Sequence, residues 1–395
     1  MTDPWIRFSG AVGTAETAGY FERTAPSGAA GTAGWFVTAK EVRSLERSSD
    51  PAALSRDCAR FLSDSPKGGV LGYVGFDAVG LFEPALARFP TGSPFPLGEL
   101  AFVDAVSVAR VPSHPRSPAP AARAQRPLSD SLARPGFERS VSRLVEEVRA
   151  GEAFQVVLAH RRAFRRPSDL LERAGWLRQS ERFAYFYYLR FGDLEIVGGS
   201  PESVAEVRGS RAYVNPIAGT LPMGLAADRR PLLSDPKELS EHRMLVDLAR
   251  NDLGRVARPG TVRVLDRERR ERYARLEHLV SRVGATLRPG FGPWEVLGAA
   301  FPAGTVSGAP KIRATDLLRR EEDTWRGPYA GAVGWLRPHG VADWALTIRS
   351  GFAANDRLYT AAGAGIVHRS EPAREFDETL AKLAQVELSL VGVTG

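Results

Sequence analysis

The sequence is poor in residues that carry redox and soft-metal chemistry. Cys58 is its only cysteine, which excludes an intrachain disulfide and any cysteine-held zinc or iron–sulfur site within one chain. The histidines, His114, His160, His242, His278, His339 and His368, are scattered without ligand spacing, so neither a zinc set nor a nucleophile–base pair emerges from them. No run approaches the roughly 18 consecutive apolar residues of a membrane helix. The opening "MTDPWIRFSGAVG" lacks a basic region followed by an apolar stretch, so neither a signal peptide nor a membrane span is expected, and a cytoplasmic location is. Lysine is scarce as well. Lys40, Lys67, Lys237, Lys311 and Lys382 are the only lysines, and the net charge of +7 rests mainly on arginine. Where lysine persists against such a bias, a compact amine can matter in a way a guanidinium does not replace. The densest basic run, "RVLDRERRERYARLEH" (263–278), mixes acids among its arginines and lacks a stacking array. It reads as a solvated face and not as a nucleic-acid surface.

What remains is an ordinary globular composition: 395 residues, 43% hydrophobic and 25% charged, enough for two ordinary domains or one large one. The segment 112–136 is rich in Pro, Ala, Ser and Arg without a hydrophobic period and reads as a linker or surface loop between 1–111 and 137–395. Before it, 68–83 and 97–111 look like strands and turns. After it, Val141, Leu144, Val145 and Val148 recur at helical spacing, followed by a strand near 154–158. Residues 182–220 suggest three strands joined by glycine-containing turns, a meander typical of antiparallel sheet. Helices are expected over 236–250, 272–286, 293–300, 309–322 and 372–390, and strands near 330–337, 342–350 and 358–363. The pattern predicts an α+β protein, large antiparallel sheets with helices packed outside.

Two of those helices carry their charges oddly. In "KELSEHRMLVDLARND" (237–252), Glu238, Glu241, His242, Leu245 and Leu248 fall three or four apart, so carboxylates share a stripe with leucines. An ordinary soluble helix segregates the two, and ionised carboxylates removed from water need a cation or donors to meet them. In "SEPAREFDETLAKLAQVELSLV" (370–391), Glu371, Glu375, Glu378 and Lys382 follow at intervals of four, three and four. Each helix taken singly could be a solvated face with i,i+4 pairs. Converging, the two stripes would suit a hard, oxygen-seeking ion such as magnesium. Between them, "FPAGTVSGAPKIRATDLL" (301–318) sets small residues and hydroxyls before a helix beginning near Pro310, where free N–H groups could receive a carboxylate. "YTAAGAGIVHRS" (359–370) runs a strand into Gly363, Ala364 and Gly365, allowing close approach of a ligand to the backbone. Arg349 ends a strand and could fork onto a carboxylate. The residues alone thus point to a magnesium-assisted enzyme for a small polycarboxylate, with no covalent nucleophile.

In order along 137–390, "GGSPES", "PIAGT", "DPKELSEHRMLVDLARNDLGRV", "LEHLVSRVGATL", "PAGTVSGAPKIRA", "RGPYAGAVGW", "LTIRS" and "AGAGIVHRSEPAREFDET" resemble the chorismate-utilising enzymes, component I of anthranilate synthase above all. "GGVLGYVGFD" resembles that family's N-terminal part. The resemblance implies a two-layer α/β sandwich, a magnesium ion and chorismate as substrate. It implies Glu241 and Glu378 as metal ligands supported by Glu238 and Glu375. Arg349, Tyr329, Lys382 and the backbone of Gly363, Ala364 and Gly365 would anchor the substrate's carboxylates, Thr220 and Thr305 would line the pocket, and Glu202 would be the acid that protonates the departing ring oxygen. Water-adding relatives carry a lysine base where this chain has Gln155, and relatives aminating carbon 4 carry a lysine where it has Ala218. Ammonia attack at carbon 2 is therefore implied, giving 2-amino-2-deoxyisochorismate and then anthranilate and pyruvate, with His278 serving the elimination. The ammonia would be free or supplied by a separate glutamine amidotransferase subunit; homo- or hetero-oligomers are compatible. Asn215 before "PIAGT" and Leu221, Pro222 and Met223 after it depart from the family's arginines, and the leucine-glutamate-serine signature tied to tryptophan feedback is not evident. These departures leave open an enzyme that retains pyruvate on its product, as they leave open 4-amination by an aminodeoxychorismate synthase component I.

Overall fold

The computed structural model describes the chain apart from residues 1–2, 4, 6–7, 10–14, 25–31, 39–40, 47–48, 87–91, 112–123, 181–182, 223–235, 274–275, 323 and 393–395. The side chains of 32–36, 38, 108–111, 219–222, 236–238, 272–273 and 276–277 are likewise not described. Two ten-stranded sheets face each other. With strands numbered in chain order, the first sheet runs β16 (Gly308–Ala309), β8 (Gln155–Arg165), β20 (Arg357–Ile366), β19 (Ser350–Ala354), β10 (Leu194–Ser200), β9 (Tyr185–Phe191), β1 (Thr17–Thr24), β2 (Thr32–Thr38) and β6 (Ser107–Val111), with β7 (Ser129–Asp130) paired to β8. The second runs β13 (Ile217–Pro222), β15 (Leu276–Thr286), β12 (Arg211–Val214), β11 (Ser203–Arg208), β18 (Val341–Leu346), β17 (Ala332–Arg337), β4 (Gly69–Val74), β5 (Gly98–Val103) and β3 (Glu41–Leu45), with β14 (Arg263–Tyr273) paired to β15. Pairings along both sheets are antiparallel, as in the long β20–β8 ladder and in β17–β18. The α+β architecture is thus the one the sequence pattern predicts.

The core lies between the sheets, where Phe21, Tyr187 and Ile196 of one layer share a buried cluster with Val74, Ala205 and Val333 of the other. The Tyr73 and Phe191 rings meet across the gap at 6.1 Å. Helices cover the outer faces. Helix α1 (Pro51–Asp64), α4 (Pro236–Gly254) and α5 (Pro293–Ala300) pack on the second sheet; α2 (Arg134–Arg149), α3 (Leu170–Ser180), α7 (Lys311–Glu322) and α8 (Pro372–Val391) pack on the first. The single turn α6 (Gly304–Ser307) sits where the layers meet, touching β8, β20, α4 and α7. Residues before 112 give strands to both sheets, β1 pairing with β9 and β4 with β17. Of the 112–136 stretch, 112–123 lie outside the described residues, Ser129–Asp130 is strand, and α2 begins at Arg134.

Two expectations are corrected. The helix foreseen over 272–286 is strand β15, and the arginine-rich run before it is strand β14. His278, Leu279, Val280 and Val283 are all buried, so β15 is covered on both faces and shows no alternation that would betray its period. The 182–220 meander holds five strands, β9 to β13, and its second and third members, β10 and β11, belong to different sheets. That change of layer happens at Ser200-Pro201-Glu202-Ser203. It delivers Glu202 to the junction between layers.

Candidate active site

Backbone hydrogen bonds gather segments that are far apart in the chain. The Leu346 N–H donates to the Glu202 carbonyl at 3.0 Å, Thr347 N–H to Gly331 O at 2.9 Å, Ala330 N–H to Thr347 O at 2.8 Å and Gly199 N–H to Arg349 O at 3.2 Å. These bonds bring together the ends of β10, β17 and β18 with the segments that carry Glu202, Tyr329 and Arg349. Ala330 and Arg349 adopt positive φ, +63° and +51°, a region side-chain-bearing residues seldom visit and which the surrounding bonds must maintain.

Glu202 is buried, and its carboxylate accepts the Thr305 hydroxyl at 2.6 Å. The Ser200 hydroxyl accepts the Glu202 N–H at 3.1 Å and fixes the backbone there. Burial pushes the Glu202 carboxyl up to about 7 while the Thr305 hydrogen bond pulls it down. Thr305 rides on α6, which approaches α4 so closely that a Cβ on Gly304 would lie 2.0 Å from Leu248 Cδ2. The missing side chain leaves that space to Leu248, which would have to move aside for any larger residue. Beside the pair lies a narrow, solvent-open cleft of about 30 Å³, lined by Leu245, Leu248 and Asp252 of α4 and by Asn215, Ala300 and Ala303 among others.

Arg349 forms the cationic centre of a second group. Its Nη1 is sealed from solvent and has no hydrogen-bond partner among the described residues. Burial lowers the guanidinium's proton affinity while Tyr329 and Glu378 restore part of it. The Tyr329 hydroxyl is pushed up to about 12 by burial, so it remains protonated and able to donate. It lies 3.2 Å from where a Gly363 Cβ would stand. Lys382 donates to the Gly363 carbonyl at 2.8 Å and pairs with Glu378 at 2.6 Å. Ala364 is buried behind that backbone. One residue further, a Gly365 Cβ would fall 2.4 Å from Gln155 Nε2, so the Gln155 side chain lies across bare β20 backbone at the mouth of β8. Arg349, Tyr329, Gly363, Gly365, Lys382, Glu378 and Gln155 therefore form one neighbourhood.

The α4 helix presents His242, Val246, Ala249 and Leu253 as its buried stripe, with Glu241, Leu245 and Leu248 half-buried at the edge. His242 Nε2 lies 2.6 Å from Ser281 Oγ, and burial keeps the ring below its usual basicity. On α8, Phe376, Thr379, Leu383 and Val386 face the sheet, leaving Glu375 and Glu378 half-exposed and exposed respectively. His160 of β8 sits between Asp130 and Thr379, 2.8 Å from each, and so locks α8 over β8. His278 is buried on β15, paired in register with Thr220 on one side and Glu271 on the other. Ala218 faces Leu279 in the same ladder. The side chains of Thr220 and Glu238 lie outside the described residues.

Among the described residues no three His, Cys, Asp or Glu side chains are assembled as a metal cage. Magnesium does not ask for one, since one or two carboxylates plus waters and an anionic ligand suffice. Glu241 and Glu378 fit that demand in donor chemistry, and the Glu378 carboxylate is near enough to raise the proton affinity of the Arg349 guanidinium.

Sequence reasoning missed the frame behind these groups. Arg326 is buried and donates to both Glu322 oxygens (2.5 and 2.7 Å), to Val306 O and to Val157 O, each at 2.7 Å. The Glu322 carboxylate also accepts the Ala159 N–H at 2.9 Å. Asp77, raised to about 6 by burial, accepts the N–H groups of Arg326 and Gly327. Lys311 donates to Asp252 at 2.9 Å and to Ala300 O at 3.0 Å. The "GFD" and "APK" stretches were the only hints of these partners.

A family model for chorismate binding enzymes matches residues 16–387. The chain belongs to that family. Anthranilate synthase component 1 of Saccharolobus solfataricus is 37% identical over 350 residues, covering 83% of each chain. That of Streptomyces coelicolor is 38% identical over 394 residues, covering 84% of this chain and 76% of the relative. The crystal structure of anthranilate synthase component I from Streptococcus pneumoniae superimposes with a TM-score of 0.75 at 30% identity, covering 93% of this chain and 92% of that one. A putative 2,3-dihydroxybenzoate-specific isochorismate synthase from Bacillus anthracis has a TM-score of 0.77 at 21% identity and shares the fold. The groups described above include a sealed guanidinium Nη1 without a partner among the described residues and a buried carboxyl raised to about 7. No helix among the described residues is long and apolar enough to cross a membrane.

Proposed function

We propose that this enzyme aminates chorismate at ring carbon 2 with ammonia, forming 2-amino-2-deoxyisochorismate and then anthranilate with release of pyruvate. The observation that carries the choice of nucleophile is Gln155. An amide has no basicity to deprotonate water, so the nucleophile is one that attacks without activation, and ammonia is. Ala218 leaves no amine for attack at carbon 4. Names borne by relatives at 37% and 38% identity support the same reading.

In this reading Arg349 and Tyr329 receive a substrate carboxylate, the unpaired Nη1 gaining the partner it lacks. Lys382 holds the Gly363 backbone in place for the same group. Glu202, poised near 7, gives its proton to the ring oxygen leaving carbon 4 while ammonia bonds to carbon 2; chorismate plus ammonia yields the amino product plus water. His278 serves the second step, removing the carbon 2 proton as the enolpyruvyl group departs as pyruvate. Thr220 stands beside it in the ladder. Glu241 and Glu378, with Glu238 and Glu375 behind them, would hold magnesium, which supplies positive charge for a substrate carboxylate. A separate glutamine amidotransferase subunit would supply ammonia.

The purified chain, incubated with chorismate, magnesium and ammonium salt, should generate anthranilate fluorescence or the amino-deoxy intermediate by mass spectrometry. Unconsumed chorismate overturns the reading. Isochorismate as product would assign water as the nucleophile; a 4-amino product by proton NMR would move the attack to carbon 4, and intermediate without anthranilate would end the reaction before elimination.

A further inference from the structure

The Thr305–Glu202 contact has features that lining a pocket does not require. At 2.6 Å it is a short hydrogen bond, made wholly between side chains about a hundred residues apart, with the Thr305 hydroxyl donating to Oε1. Oε1 is therefore the accepting oxygen. While the hydroxyl donates there, Oε2 is the oxygen left free to carry the carboxyl proton. α6, which carries Thr305, is closed on itself by the Ser307 hydroxyl bound to Ala303 O at 2.9 Å and held from two sides: Arg326 binds the Val306 carbonyl and Gly304 abuts Leu248. The hydroxyl is thus delivered by a rigid element, and not by a mobile loop.

Two other charged groups near Glu202 are committed elsewhere. Asp252 of α4 pairs with Lys311 of α7 at 2.9 Å. Glu206 of β11 takes Asn215 Nδ2 and Arg23 Nη2, each at 2.7 Å. Arg349 follows β18, its carbonyl bonded to Gly199, and His278 stands on β15. The carboxyl's balance is accordingly set by two opposed influences, burial and the Thr305 hydroxyl.

We propose that Thr305 is a positioning residue for the acid, its hydroxyl occupying Oε1 of Glu202 so that the proton is carried on Oε2 alone and presented in one direction to the leaving oxygen. This rests on the reading of Glu202 as the acid in the amination of chorismate. The hydroxyl also stabilises the ionised carboxylate left after proton delivery, and Thr305 itself need not touch the reacting atoms.

Comparison of Thr305→Val with Thr305→Ser tests this, with thermal melts confirming that both fold. Valine keeps the shape and removes the donor; serine keeps the donor. Thr305→Val should lower kcat roughly tenfold or more while changing the KM for chorismate less than about threefold, and it should move the alkaline limb of the rate profile up by about one pH unit. Thr305→Ser should recover both. Carbon-13 NMR titration of the Glu202 carboxyl, assigned by its absence in Glu202→Gln, needs no turnover: the midpoint near 7 should rise by about one unit in Thr305→Val and return in Thr305→Ser. An unmoved midpoint overturns the proposal, as does a serine variant behaving like valine, or a raised KM with kcat and limb unchanged, which would make the hydroxyl a substrate contact. If the unsubstituted chain leaves chorismate untouched, the amination reading falls, and the NMR titration still decides for or against the Thr305–Glu202 link.

Discussion

Two sets of buried cations in this protein differ in one respect: how many of their donors are spent. Arg326 has every nitrogen engaged, on Glu322, Val306 O and Val157 O. Lys311 reaches Asp252 and the carbonyls of Ala299 and Ala300, and so closes the open end of α5 where carbonyls lack helical partners. Arg349 has an enclosed Nη1 with no partner among the described residues. Burying a donor without an acceptor costs about 1–3 kcal/mol, a cost that packing alone does not explain. The saturated cations hold the frame; in the proposed function the unsaturated one receives a substrate carboxylate. Lysine scarcity fits the first half of this lesson, because Lys311 fits a compact ammonium between a carboxylate and two carbonyls where a planar guanidinium would not.

The contrast is sharpest in substitutions. Arg349→Ala should lower kcat/KM for chorismate by roughly a thousandfold, from loss of a charge-paired carboxylate contact, while shifting Tm by no more than a degree or two. If turnover survives Arg349→Ala, the open donor is not a substrate receptor. Lys311→Met should do the reverse, removing about 3 kcal/mol of stability by leaving Asp252 buried and unpaired, measured by urea unfolding. Replacing both Lys311 and Asp252 by apolar residues should cost less than that single change; an additive double variant would break the account of the frame.

Smaller, and readable by pH alone, is the effect of Glu202. Its carboxyl binds protons more tightly folded, at about 7, than at its ordinary 4.5. The native state therefore holds more protons than the unfolded one between these values, and stability falls as pH rises through that window. The loss is nearly complete by about one unit above pH 7 and amounts to roughly 3 kcal/mol. Glu202→Gln should thus be more stable than the parent at pH 8 and equal to it near pH 4, while losing activity. A melting-temperature difference that does not change with pH would remove the raised carboxyl from the account.

The sequence made some of this legible and hid the rest for physical reasons. Helices α4 and α8 could be read because one face of each meets a sheet, leaving a 3.6-residue period with Glu241, Glu375 and Glu378 beside the buried stripe and not on it. Strand β15 could not, since both its faces are buried, and β14 reads only as a solvated face because Arg263, Arg267, Arg269 and Arg270 are exposed. Among site residues, Glu202, Arg349 and Lys382 stood out through the motifs around them. The partners that hold them, Asp77 with Arg326 and Glu322 with Ala159, are separated by 249 and 163 positions. No local period reports such a contact.

The interleaving of early and late strands has a consequence for the nascent chain. Until β9 and β17 exist, β1 pairs only with β2 and β4 only with β5, and each keeps one edge open. A shortened form starting at α2 would instead display the bare flanks of β9 and β17, rows of unmatched N–H and C=O groups inviting edge-to-edge association. The amino-terminal strands thus serve as a guard against clumping as much as a contribution to the fold.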